Sequence, residues 1–192
     1  MRVGIPGPSK FAPLYNFKDL VYDDLFWEYF LNTAIFTVST VFIGIVIQLS
    51  IALLLNQKTK LQRFFRSAIL LPWAIPLVVS SFIWRLILNS QYGVLNDILL
   101  KLNIISQPVA WLGGKWTALG AIVVTDIWTQ TPLAVIILLA GLQVIPKQLY
   151  EASNIDGASV WQRFRHIIMP LWRPQILVVL MIRTMFSFRM FA

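Results

Sequence analysis

The stretch EYFLNTAIFTVSTVFIGIVIQLSIALLLNQK, residues 28–58, carries charge only at its two ends. The 29 residues between Glu28 and Lys58 are uncharged. As a helix rising ~1.5 Å per residue they outreach a hydrocarbon core of ~30 Å. A run of that length and polarity reads as a transmembrane helix and commits the chain to a membrane fold. Composition agrees: 58% of the 192 residues are hydrophobic and only 12% are charged, about half the charge of a soluble domain.

Working outward, the basic segment QKTKLQRFFR leads into residues 67–84, again uncharged, where Pro72 and Pro76 remove backbone donors and should bend the helix. A loop over 89–115 holds Gly93, Pro108, Gly113 and Gly114, and an apolar run interrupted by Asp126 follows. The last apolar run carries Arg183 and Arg189, each costing about 2.5–3.5 kcal/mol at mid-bilayer. The pattern predicts one all-α, polytopic transmembrane bundle of about four spans, near 29–57, 67–88, 116–145 and 174–192. A tail (1–28) precedes them, and 146–173 connects the last two.

Cations are unevenly divided among the connections. Lys58, Lys60, Arg63 and Arg66 follow the first span, and Lys147, Arg163, Arg165 and Arg173 lie between the third and fourth. The other side has Lys101 and Lys115, with Arg2, Lys10 and Lys18 in a tail that also carries Asp19, Asp23, Asp24 and Glu28. The positive-inside rule makes the first side cytoplasmic and the tail external. The first residues, MRVGIPGPSKFAPLYNF, show no apolar signal-type core.

Within 146–173, Val160, Trp161, Phe164, Ile167 and Ile168 share one helical stripe, with Gln162, Arg163 and His166 away from it. Upstream, residues 146–155 suit a short helix with Glu151 exposed. Asp156-Gly157 marks the turn because Gly accepts positive φ, and Pro170 and Pro174 are expected to bound the second helix. The result is a helix-turn-helix at the cytoplasmic surface. On periodicity alone it could equally be an interfacial helix resting on anionic headgroups.

The spacing then adds a family. Glu151-Ala152-Ser153, Gly157 and Ile167-Ile168-Met169-Pro170 follow the pattern E-A-A, three residues, G, nine residues, I-x-L-P, departing at Ser153 and Met169. That pattern resembles the ATPase-docking loop of binding-protein-dependent ABC importer permeases. LNTAIFT (31–37), FFRSAILLPWAIP (64–76), IWRLILNSQYGVLN (83–96) and LAGLQVIPKQLYEASNIDGASVWQRF (139–164) are similar to the carbohydrate-uptake branch. IP-x-x-LYEA-x-x-IDGAS and the PLYNFKDL opening look like the first permease subunit of maltose- or glycerol-phosphate-type systems.

The resemblance implies a multi-pass subunit of a prokaryotic inner membrane that translocates a sugar or related small polar solute. Its implied partners are an ABC ATPase dimer, a second permease subunit and an extracellular or periplasmic solute-binding protein. It implies no cofactor and no catalysis by this subunit. Glu151, Ala152, Ser153, Asp156, Gly157, Trp161, Phe164 and Pro170 would form the ATPase-docking surface. Glu151 would supply an anionic contact, Gly157 close approach, and Trp161 and Phe164 apolar anchors. It also implies a helix before the tail and another after the fourth span, so the sequence reads as a fragment.

Charges inside the spans are candidate pathway residues. Counted at ~1.5 Å per residue from Arg173, Arg183 lies ~15 Å deep and Arg189 ~24 Å, while Arg85 and Asp126 come out at ~28 Å from Arg66 and Ile145. Matched depth pairs Asp126 with Arg189 or Arg85. Asp126 and Gln130 share a face at i, i+4 and, with Arg183, could line a path for hydroxyl-rich solutes or hold the bundle together.

Other classes fit less well. The sixteen Lys and Arg are too sparse for a nucleic-acid stripe. With no Cys and one His, Cys- and His-ligated metal sites are improbable. Gly113-Gly114-Lys115-Trp116 lacks the earlier spaced Gly and the Ser or Thr of a phosphate loop. A membrane enzyme would need clustered carboxylates, and the eight acids are dispersed. An ATP-independent channel or secondary transporter would show an inverted repeat, and none is visible by inspection.

Overall fold

The computed structural model describes residues 20–57 and 60–189. Residues 1–19 of the expected tail, Lys58, and 190–192 of the expected fourth span lie outside the described residues. No strand occurs among the described residues.

Helix α1, Asp24–Asn56, begins where the Asp23 carboxylate accepts from the Leu25 N–H at 2.9 Å, and it runs through the uncharged stretch without a break. Its buried side chains are Phe36, Thr37, Thr40, Gly44, Gln48, Ala52 and Leu55. They are spaced almost entirely by four, which gathers them on one stripe. Val38, Phe42, Val46 and Leu54 stay exposed and apolar, as a helix facing lipid requires.

After Gln57 the chain turns into three short helices: α2 (Gln62–Ala68), α3 (Leu71–Ala74) and α4 (Leu77–Ile87). Gln62 Nε2 and Arg66 Nη2 donate to the Leu55 carbonyl at the end of α1, 2.8 and 3.4 Å, supplying partners for a terminal acceptor. Where the sequence suggested a bent span, the structure has a break of 98° between Gln62–Ala74 and Leu77–Ile87. Pro76 is the cause. It clashes with a helical predecessor, so Ile75 takes the extended values φ −89°, ψ 126° and the α2–α3 direction cannot continue into α4.

The segment expected to be a loop contains a further helix, α5 (Val94–Lys101), pinned by one buried amide. Asn96 Nδ2 donates to the Asn89, Ser90 and Val109 carbonyls, and its Oδ1 accepts from the Val109 N–H and the Trp111 indole. Gly93 precedes it because a Cβ there would lie 2.2 Å from the Asn89 carbonyl oxygen.

Helix α6, Lys115–Val144, passes through Pro132 without ending. Lys115 at its start pairs with Glu28 near the start of α1, 2.7 Å. Then come α7 (Lys147–Ile155), α8 (Val160–Arg163), a π-helical turn at Phe164–Ile168 and α9 (Met169–Arg189). Contrary to expectation, Pro170 and Pro174 do not bound the helix that follows the turn. Residues Val160–Arg189 form one helix, long and apolar enough to cross a membrane, as are Asp24–Asn56 and Lys115–Val144. The widened turn accounts for this. The Met169 N–H reaches back five residues to the Phe164 carbonyl, so the ladder is already opened where Pro170 lacks a donor.

α1, α6 and α9 pack on one another, with a core of Ala52, Leu55, Ala134, Val135, Leu138, Leu142, Ile145, Trp172 and Val179. Two contacts lock α9 onto α6. The fully buried Trp172 donates its indole N–H to the Leu138 carbonyl at 2.8 Å, and Gln175 lies over Gly141, where a Cβ would come 2.5 Å from Gln175 Cγ.

Gly141→Leu should therefore force the two helices apart and cost about 1–3 kcal/mol. Gly120→Leu, at a site with nothing within 4 Å, should stay within about 0.5 kcal/mol of the parent. Thermal unfolding in detergent distinguishes the two.

Candidate functional site

The segment from Glu151 to Pro170 ends in a surface. At its turn Gly157 adopts φ +69°, with open space around it. The turn is closed by Gly157 N–H to Asn154 carbonyl, 3.2 Å, and Ala158 N–H to Ser153 carbonyl, 2.9 Å. Ser159 then caps α8 reciprocally: its Oγ accepts from the Gln162 N–H, and its own N–H donates to Gln162 Oε1. Arg163 donates across the turn to Asn154 Oδ1, so α7 and α8 are held at a set angle.

Glu151, Ala152, Asp156 and Pro170 are exposed. Trp161 is 65% exposed and stacks on half-buried Phe164, centroids 5.6 Å apart, while Ile155 and Val160 are 87% and 75% exposed. Ser153 departs from this set. It is 5% exposed, and its hydroxyl donates to the Tyr150 carbonyl, so it faces inward. Burial pushes the Tyr150 phenol up from its ordinary value. The apolar stripe divides: Ile168 packs toward the core, and Val160 and Trp161 remain at the free end.

A second polar constellation lies within the bundle. Arg183 Nη2 donates to Asp126 Oδ2 at 2.8 Å and to the Thr40 carbonyl at 3.2 Å, with the two charged side chains 3% and 9% exposed. The Thr40 hydroxyl lies 3.2 Å from that of Ser187. Asp126 is thus paired with Arg183, not with Arg189 or Arg85. Depths counted separately from Ile145 and Arg173 missed this because the helices are offset. Trp172 is level with Leu138, which leaves Arg173 about two helical turns inside the level of Ile145. From the Trp172–Leu138 contact, Arg183 lies eleven residues along α9 and Asp126 twelve back along α6, both ~17 Å away at ~1.5 Å per residue.

Asp126 and Gln130 line a common chamber of about 360 Å³ with Ser80, Ser81, Thr125, Thr129 and Arg189. Arg183 is not part of its wall. It stands behind Asp126 and borders a small cleft that also touches Gln130. Thr40, Gln48 and Ser187 were missed in the sequence. The available signal was Thr37, Thr40, Gly44 and Gln48, small or polar at successive turns of an otherwise apolar run.

The profile of the family described as "binding-protein-dependent transport system inner membrane component" matches residues 40–192. The chain belongs to this family. Family members similar to it include the trehalose/maltose transport system permease protein MalF of Thermococcus litoralis, 40% identical, with 96% of this chain and 62% of that protein covered. The sulfoquinovosyl glycerol transport system permease protein SmoG of Agrobacterium fabrum is 36% identical, with 96% and 59% covered. A chain of a bacterial alginate ABC transporter, solved with its alginate pentasaccharide-bound periplasmic protein, superposes with a TM-score of 0.81 at 25% identity, covering 90% of this chain and 60% of that one. The chain spans about three-fifths of the length of these relatives.

Removing Arg183 alone strands a buried carboxylate. Arg183→Leu should cost about 3–5 kcal/mol in denaturant or thermal unfolding, and Asp126→Leu/Arg183→Leu should cost clearly less than the single change.

Proposed function

We propose that this chain is the membrane-spanning permease subunit of an ATP-driven ABC importer that translocates a sugar or related small polar solute. The observation that carries the reading is the conjunction, in a member of the binding-protein-dependent family, of an outward-facing turn at Gly157 with a half-open chamber between α4, α6 and α9 that carries several polar side chains.

On this reading the segment from Glu151 to Pro170 docks on a cytoplasmic ATPase dimer. Glu151 and Asp156 offer anionic contacts, Trp161 with Phe164 an apolar anchor, and Gly157 a turn free of side chain. Exposed Ile155 and Val160 extend that anchor. Ser153 supports the surface from within. A second permease subunit completes the pathway, and an external binding protein delivers the solute. Positive-inside charge puts the docking segment in the cytoplasm and the N-terminal side outside. ATP hydrolysis belongs to the partner ATPase, and the permease itself is not catalytic.

The chamber suits a hydroxylated solute. Asp126 provides an acceptor, Arg189 a donor, and Gln130, Ser80, Ser81, Thr125 and Thr129 can do both. Arg183 holds the acceptor in place without facing the solute. Membership of a binding-protein-dependent family favours this reading over an ATP-independent channel or secondary transporter.

Gly157→Asp places a side chain and a charge where φ is +69°. The variant should insert normally and retain the ATPase on purification, while ATP-driven uptake falls by at least about tenfold. Normal uptake in reconstituted vesicles would remove the docking role. Purification of the parent chain should also bring down an ATPase and a second permease, which a lone channel would not do.

A further inference from the structure

Gln48 is 0% exposed on α1, and neither its carboxamide oxygen nor its nitrogen has a hydrogen-bond partner among the described residues. A buried amide in that condition costs stability and returns no contact. A polar group of this kind inside a membrane helix is a candidate for a function. Its neighbour supplies one. Among the described residues Arg183 uses a single nitrogen, Nη2, for both its contacts, and Nε and Nη1 are buried without partners.

Gly44 lets the two side chains approach. A Cβ there would stand 3.2 Å from Arg183 Nη2 and 3.6 Å from Gln48 Nε2, so both head groups lie over the same bare patch of α1 backbone. Other groups around the guanidinium are already engaged, and Gln130, which borders the same small cleft, also lines the chamber. Asp126 holds Nη2, and the Thr40 hydroxyl is engaged with the Thr37 carbonyl and Ser187. The Thr37 hydroxyl is also without a partner among the described residues, but it lies nearly two turns above Gly44, whereas Gln48 is the next turn below.

We propose that Gln48 is a positioning residue, the second acceptor for Arg183. When a solute hydroxyl donates to Asp126 in the chamber, the guanidinium passes from that carboxylate to the Gln48 carboxamide oxygen. A hydroxyl on Asp126 competes with Arg183 for the same charge, and a buried guanidinium released without a new acceptor would oppose solute binding. The exchange removes that opposition while keeping α9 against α1. It rests on the reading of the chamber as the solute path.

A sign reversal in stability tests the exchange without any transport measurement. In the full chain purified in detergent, Gln48→Met should raise the melting temperature by about 2–4 °C, because it replaces unpartnered polar atoms with apolar ones of similar length. In the Asp126→Leu background Arg183 keeps the Thr40 carbonyl and turns its free nitrogens to Gln48, so the same Gln48→Met change should lower the melting temperature by a similar amount. A shift of the same sign in both backgrounds overturns the proposal.

Uptake by the assembled transporter gives a second test should Asp126→Leu fail to fold. Gln48→Met should raise KM about tenfold with kcat held within about twofold, and Gln48→Glu, which restores an acceptor, should recover part of the affinity. An unchanged KM in Gln48→Met overturns the proposal. Absence of uptake in the parent transporter would instead overturn the permease reading and leave the melting temperatures to decide on Gln48.

Discussion

Arg183 and Asp126 meet at 2.8 Å, both almost wholly out of solvent, and the arrangement of the three long helices is organised around that contact. Attraction between opposite charges is large in a medium of low dielectric, but withdrawing each from water is of similar size, so the pair is a poor source of net stability. What it enforces is register. A slip of one turn between α6 and α9 would leave two buried charges apart in an apolar interior. The Thr40 carbonyl, taking the same Nη2, extends the constraint to α1. Gly44 is part of the same requirement, since a side chain there would press on the guanidinium.

The register set by the charges is repeated at the other end of α9. Trp172 to the Leu138 carbonyl and Gln175 over Gly141 fix α9 to α6 roughly three turns from the ion pair. Two fixings on one pair of helices make a rigid body. The segment that leaves it, through the π turn at Phe164–Ile168 into α8, is the one that carries Trp161 and the Gly157 turn. The proposed docking surface and the chamber are therefore ends of one connected piece of structure, a geometry compatible with the proposed coupling of ATPase to pathway.

Much of the fold was legible because its signals are local. The uncharged run from Glu28 to Lys58 became α1, Asp126 and Gln130 came to line one chamber, and Asp156-Gly157 turned with positive φ where a turn was read. What was not legible depended on pairs of segments. The partner of Asp126 follows from an offset between α6 and α9 that only the Trp172–Leu138 contact reveals. The right-angle break at Pro76 and the continuity through Pro170 and Pro174 differ because proline's effect depends on its neighbours. Ile75 is driven extended, whereas a π turn has already loosened the ladder ahead of Pro170. Helix α5 escaped notice because its anchor, Asn96, satisfies groups up to fifteen residues away.

The position of the π turn bears on how force could pass along this helix. A π turn is less regular than the α-helical ladder on either side, and Pro170 next to it removes one more backbone bond, so this is a deformable point between Val160 and Arg189. It lies outside the Trp172 lock, on the side of the docking segment. Softness placed there lets α7 and α8 settle against a partner surface without shifting α9. Softness at the lock itself would let the helix yield before any displacement reached Arg183. On the proposed docking role, a swing of the segment from Glu151 to Pro170 that exceeds the compliance of the turn moves α9 together with α6, and with them the wall of the chamber that carries Asp126.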